Sequence, residues 1–142
     1  MPSDLQLKTM NAVHRAILGI TRGRVGWHFG KMPVLRLTTT GRKSGELRSV
    51  MLTSPLQENN AIVIVASRGG DDKHPAWFLN LRDNPQVEVA YMNKPKKKMI
   101  ARIATDVERQ RMWPLVTAKY KGYAGYQTKT TREIPLVILS EL

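Results

Sequence analysis

The apolar positions change period along the chain, and the changes mark its elements. Met10, Val13, Ile17 and Ile20 recur at helical spacing beside Ala16, with Lys8, Asn11, Arg15 and Arg22 off that stripe. Ser3 and Gln6 have capping-box spacing, and Gly19, Gly23 and Gly26 argue against continuation. The pattern predicts an amphipathic, basic helix over about residues 4–20, fit either to pack on the domain or to lie on a membrane. From Pro33 the chain turns β-branched. Residues 34–40 and 47–54 read as strands around a turn at 41–45, and 57–60 reads as another turn. Residues 61–66 (AIVIVA) are apolar on both faces, which predicts a central, buried strand. A loop over 68–75 leads to a short helix over 76–82, stopped before Pro85. Val87, Val89 and Tyr91 alternate on one face of a strand over 86–92. A turn at 93–96 leads to a strand over 97–105. Asp106 can cap a helix running towards Tyr120, which starts late or kinks at Pro114. Residues 121–131 read as an irregular, glycine- and tyrosine-bearing lid, and 134–139 as a last buried strand.

The order is helix, three strands, short helix, two strands, helix, strand. Short turns between six strands predict an α+β domain with a mostly antiparallel sheet closing into a barrel, helices packed at its ends. At 142 residues the chain fits a single domain, with 1–25 as helix and linker and 33–140 as barrel. The absence of cysteine excludes disulfides, thiolate metal sites and cysteine nucleophiles, and makes a cytoplasmic home the default. The first residues carry an acid and no continuous apolar run, so no signal peptide is expected. Charge changes the picture most. Twenty-three basic against eleven acidic side chains give +12, which calls for a polyanion: nucleic acid, an anionic membrane, or a phosphorylated or carboxylated small molecule.

Much chemistry is missing. There is no G-x-G-x-x-G and no G-x-S-x-G, and Gly41-Arg42-Lys43-Ser44 lacks the earlier glycine of a phosphate loop, with Arg36 in its place. His14, His28 and His74 have no ligand spacing. Three segments stand out. Arg42, Lys43 and Arg48 lie within seven residues around a glycine-flanked turn that also holds Ser44, either an oxyanion cradle or a solvated hairpin tip. Ser67 to Asn80 follows the buried strand into a helix N-terminus. Trp77 and Phe78 offer flat apolar surface there and Asn80 a polar orienting group, against a plain loop with Trp77 anchored in the core. Tyr120, Tyr123 and Tyr126 are spaced by three and either wall a pocket or belong to the core. Lys94, Lys96, Lys97 and Lys98 form a charged turn, solvated or acting at long range.

Three blocks occur in order: Thr-Thr-Thr-Gly-Arg-Lys-Ser-Gly at 38–45, Ala-Ser-Arg-Gly-Gly through Lys-His-Pro-Ala-Trp-Phe-Leu-Asn-Leu at 66–81 with Asn84-Pro85, and the tyrosines leading to Arg132-Glu133-Ile134-Pro135. Together they resemble the deazaflavin-dependent nitroreductase family, the split-barrel, coenzyme F-420-dependent quinone and nitro reductases of actinobacteria. The resemblance covers residues 33–140 and implies a flavin-reductase-like split barrel. It implies that Arg42, Lys43, Ser44 and Arg48 hold the coenzyme's phosphodiester and oligoglutamate tail. Val65, Ala66, Ser67 and Arg68 would pass along the deazaflavin with backbone N–H groups aimed at its polar edge. Ala76, Trp77, Phe78, Leu79 and Asn80 would pack on and orient the ring. Tyr123 would approach the reactive face, with Tyr120 and Tyr126 on the substrate side. The implied reaction is hydride transfer from C5 of the reduced deazaflavin to a small hydrophobic acceptor: a quinone, an activated enone or lactone, or a nitro compound. A tyrosine or water would supply the proton. Met51 stands where the family commonly has proline, so a different local backbone is expected there. Lys129 stands where some members have an aromatic, which favours quinones or other conjugated carbonyl compounds over nitroimidazoles. The implied partners are F-420 and the acceptor, with peripheral contact at the inner membrane face through the N-terminal helix, no nucleic acid, and a monomer or dimer. The alternatives are a basic nucleic-acid-binding module and a non-catalytic cofactor carrier.

Overall fold

The computed structural model describes residues 28–29 and 32–142, so the expected N-terminal helix lies outside the described residues. The chain runs through β1 (His28–Phe29), β2 (Met32–Thr40), β3 (Leu47–Thr53), β4 (Leu56–Glu58) and β5 (Ala61–Val65). After a single turn at Arg68–Gly70 come α1 (Ala76–Asp83), β6 (Gln86–Tyr91), β7 (Lys97–Ile103), α2 (Asp106–Lys119), α3 (Gly122–Thr128) and β8 (Leu136–Glu141). Every strand pairing is antiparallel. The order β2-β6-β7-β8-β5-β4 leaves β3 on the other edge of β2. β3 and β4 are one run of chain, interrupted at Ser54-Pro55. Its first half pairs with β2 and its second with β5, so the sheet curls back on itself and splits where the run changes partner. Ser54 is fully buried at that break, its hydroxyl 2.7 Å from the Val63 carbonyl and 3.0 Å from that of Leu56.

All six expected strands are present, within an eight-stranded sheet. The two additions are short. β4 occupies part of the expected turn at 57–60, and only Asn59-Asn60, both in the left-handed region, turn the chain. Three residues without a β-branched side chain carry too little pattern to be read as a strand.

The two faces of the sheet bury differently. Ile62, Ile64 and Ala66 join Leu35, Leu37, Val87, Val89, Val137 and Leu139 inside the barrel, where α1 adds Phe78 and Leu81. Val63, Val65, Leu136 and Ile138 face outwards and are covered by Met112 and Val116 of α2 and Tyr123 of α3. The AIVIV strand is therefore buried on both faces, as its composition predicts. α2 and α3 cover the outer face of β5 and β8, so among the described helices only α1 contributes to the interior cluster. Thr105, not Asp106, caps α2: its hydroxyl accepts from the Glu108 N–H at 3.2 Å, while the Glu108 carboxylate accepts from the Thr105 N–H at 3.0 Å. The helix runs unbroken through Pro114. Residues 122–128 are helical, not an irregular lid. Gly122 and Gly125 sit in open space, and burial of Tyr123 on the outer cluster offsets their low propensity. Among the described residues no helix is long and apolar enough to cross a membrane.

Candidate functional site

The hairpin between β2 and β3 closes through its own backbone. The Gly41 N–H donates to the Glu46 carbonyl at 2.7 Å and the Gly45 N–H to the Gly41 carbonyl at 2.8 Å, with Gly45 at φ 74°. Ser44 Oγ accepts from the Glu46 N–H at 3.1 Å, leaving its own proton to donate outwards. Arg42, Lys43 and Arg48 are exposed, and Arg48 meets Glu46 at 3.3 Å. This tip is tied to α1. Buried Asn80 accepts through Oδ1 from the Arg42 backbone N–H at 3.2 Å and from its guanidinium at 2.9 Å. Its Nδ2 donates to Thr39 Oγ1 at 3.2 Å. Thr39 is the register partner of Arg48, so the two side chains share a face. Asn80 thus joins the cationic turn to the Trp77 helix, two motifs 38 residues apart. Beyond Arg48 on the same face, Val50 and Leu52 are half-buried at the rim of the interior cluster, as are Trp77 and Leu79 of α1. β3 pairs only with β2 among the described strands, so its other edge lies along the split.

The end of β5 departs from one expectation. The Ala66 N–H donates to the Pro135 carbonyl at 3.0 Å and is not available to a ligand. Strand alternation turns the Val65 N–H to the opposite edge, towards the split. Arg68, Gly69 and Gly70 then follow one another at φ 47°, 65° and 85°, a left-handed run that a non-glycine residue adopts only under strain. The Arg68 guanidinium lies 2.5 Å from the Asp71 carboxylate, so that charge is engaged within its own loop.

The tyrosines lie on the outer face. Tyr123 is buried, with its hydroxyl 3.2 Å from Thr53 Oγ1 and 3.6 Å from Met32 Sδ. Burial pushes its pKa above the ordinary phenol value, so it is protonated at neutral pH. Tyr126 meets it edge-on at 6.0 Å. Tyr120 and Tyr126 are half-buried, with the ammonium groups of Lys119 and Lys129 each 5.7 Å from the respective ring centre.

Residues 11–141 match the family described as F420H(2)-dependent quinone reductase. The chain belongs to that family. An F420H(2)-dependent quinone reductase of Mycobacterium tuberculosis is 37% identical over 133 residues, covering 90% of this chain and 87% of the relative. The solved F420-H2 dependent reductase FDR-A superposes with a TM-score of 0.67 at 42% identity, over 76% of this chain and 94% of that one. A domain-swapped dimer gives a TM-score of 0.70 at 39% identity, over 93% of this chain and 99% of that one.

In this F420H(2)-dependent reductase the second and third motifs meet through a residue that sequence reasoning used only as a landmark. Arg132 donates from Nε to the Asp71 carbonyl at 2.9 Å, and from its terminal nitrogens to the carbonyls of Ser67 at 2.9 Å and Ala66 at 3.2 Å. One terminal nitrogen also lies 3.3 Å from His74 Nδ1. Burial first, then the charges of Arg132 and Arg82, hold the His74 imidazole below its ordinary pKa, consistent with a neutral ring whose Nδ1 accepts. Thr130 Oγ1 donates to the Asp72 carboxylate at 2.8 Å. A cation just before a buried strand was the available signal, but nothing local says that it reaches back across the fold.

Gly70 completes the junction. A Cβ built there would lie 2.7 Å from the Tyr126 carbonyl and 3.1 Å from Lys129 Cβ, on a backbone at φ 85°. Gly70→Ala is expected to destabilise the fold by about 2 kcal/mol, from left-handed strain plus the overlap. Urea unfolding checks it, and a stability equal to the parent's contradicts the close approach.

Proposed function

We propose that this chain transfers a hydride from reduced coenzyme F-420 to a quinone or a related electron-poor conjugated acceptor. The bound deazaflavin supplies the hydride, and the protein supplies position and field. The donor set suits that coenzyme. Its phosphodiester and carboxylate tail is a polyanion, and Arg42, Lys43 and Arg48 are exposed cations grouped with the Ser44 hydroxyl at one tip. Trp77 and Leu79 give the apolar ring a half-buried surface beside that tip. Val65, Ser67 and the adjoining turn border the polar edge of the ring, with Ala66 holding the strand end in place. Tyr123 keeps a proton near the end of β3, and Tyr120 and Tyr126 wall the acceptor side. Lys129 over Tyr126 adds a cation where a quinone oxygen would gain negative charge. The reaction belongs in the cytoplasm, and a membrane-dissolved quinone would be met through the basic, amphipathic N-terminal segment.

The observation that carries this reading is Asn80, which joins the cationic tip to the Trp77 helix in a chain of this family. Titration with F-420 followed by fluorescence, then oxidation of the reduced coenzyme by menadione, tests it. Saturable binding and acceptor-dependent oxidation are expected. No binding of F-420 together with tight capture of oligonucleotides overturns it.

The tail contact has its own signature. Lys43→Ala is expected to weaken F-420 binding about fivefold at low salt, the scale of one exposed ion pair. The difference closes near 1 M salt, where the screening length falls to about 3 Å. Equal affinity of mutant and parent at low salt removes Lys43 from the cradle.

A further inference from the structure

The loop over residues 66–74 is held from outside. Its left-handed run at Arg68–Gly70 is strained at Arg68, the one non-glycine residue in it, and backbone carbonyls on both sides of that run, those of Ala66, Ser67 and Asp71, accept from one guanidinium. That guanidinium belongs to Arg132, half-buried in the connector between α3 and β8. The fourth partner, His74 Nδ1, lies at the far end of the loop, where its ring packs on Phe78 of α1 at 4.6 Å. The connector is itself fixed: the Gln127 side chain donates to the Arg132 carbonyl at 2.7 Å and accepts from the Ile134 N–H at 2.9 Å. α3 and the loop then touch through Gly70.

We infer that Arg132 is a positioning residue for the coenzyme, a clamp that fixes the strained 66–74 loop and sets its register against the tyrosine helix. The inference rests on the proposed F-420 site. The clamp needs a planar fork. Arginine presents donors in fixed directions and spans several carbonyls, whereas a lysine ammonium at the same place reaches them one or two at a time. Removing the guanidinium leaves the carbonyls to water and lets the strained turn relax to ordinary backbone. The coenzyme then meets a loop that must be ordered again on binding, and affinity falls by that cost.

The test compares Arg132→Met, Arg132→Lys and Val116→Ala. Val116, a fully buried residue of α2 in the outer cluster, serves as a destabilised reference. Thermal unfolding gives the stability of each, fluorescence titration the Kd for F-420, and limited trypsin digestion the opening of the loop at Lys73. Arg132→Met is expected to raise the Kd about tenfold, the scale of a lost charged hydrogen bond, and to speed cleavage after Lys73 by a similar factor. Arg132→Lys is expected to recover melting temperature while recovering less than half of the lost affinity on a logarithmic scale. Val116→Ala is expected to melt early with its Kd and Lys73 cleavage unchanged. The clamp is overturned if Arg132→Met binds F-420 within twofold of the parent, or if Val116→Ala loses as much affinity for the same fall in melting temperature. Should the parent itself fail to bind F-420, the coenzyme assignment falls. The trypsin comparison then still decides the clamp, and cleavage after Lys73 at the parental rate in Arg132→Met refutes it.

Discussion

Asn80→Leu is expected to cost the enzyme both stability and coenzyme. The side chain is 4% exposed, and leucine keeps its branched heavy-atom shape with bulkier methyl ends, so overpacking adds to the loss. The polar joint is lost entirely. The Arg42 backbone N–H and guanidinium lose their acceptor, and Thr39, buried at 1% exposure, loses its donor. Leaving one buried polar group unmet costs about 1–3 kcal/mol, so a loss of about 3 kcal/mol is expected in urea unfolding. The hairpin tip is then no longer anchored to α1. Arg42 moves freely, the cations no longer converge, and the Kd for F-420 is expected to rise about a hundredfold, equivalent to about 2.7 kcal/mol. Asn80→Asp separates the two effects. The carboxylate still accepts from Arg42, and the Thr39 hydroxyl can rotate to donate, so folding stays near the parent's. A negative charge now neutralises Arg42 and repels the anionic tail, so affinity falls without loss of stability. Parental affinity in Asn80→Leu would show that the tip and the helix act independently.

Local pattern carried most of this architecture. Two-residue alternation and apolar runs are properties of the strand itself, so the strands were legible, and the AIVIV run announced burial on both faces. Met51 takes its regular register opposite Arg36, so the absence of a proline there leaves β3 intact. What local pattern could not carry was the break at Ser54-Pro55, because the change of partner from β2 to β5 is a tertiary event within one extended run. The same holds for the side-chain joints. Arg42, Asn80 and Trp77 were recognisable as chemistry, but the hydrogen bonds that bring the first two together span 38 residues, and those from Arg132 to Ser67 span 65. The helix over α3 was hidden for a related reason. Two glycines lower its intrinsic propensity, while the stabilising term, Tyr123 seated among Val63, Val65 and Leu136, comes from elsewhere in the chain. The site therefore lies where sequence motifs are visible but their mutual placement is set by the sheet.

Tyr123→Phe is expected to separate turnover from binding. The ring stays in the outer cluster, so the fold loses only the hydroxyl contacts with Thr53 and Met32, about 1 kcal/mol. The Kd for F-420 is expected to stay within twofold, because the phenol lies on the outer face of the sheet and the tail cations at the hairpin tip. If Tyr123 delivers the proton that completes reduction of the acceptor, kcat falls about a hundredfold, the lower end of general-acid catalysis. The pH profile adds a second criterion. Burial raises the phenol pKa, so the folded state holds this proton more tightly than the unfolded chain does. Its contribution to stability is complete below the ordinary phenol value of about 10 and is lost as pH rises through the higher folded value. The acid form therefore persists across neutral pH, and the tyrosine-dependent part of the rate is level there, declining only in strong alkali. A fall in rate between pH 6 and 8 would assign the proton to a group that titrates there, and turnover of Tyr123→Phe equal to the parent's would assign it to water. Thr53 would then remain as the group that holds the ring in register with the end of β3. The 3.2 Å contact between Thr53 and Tyr123 makes the outcome informative either way, since a hydroxyl that passes its proton to the acceptor cannot be removed without changing the rate.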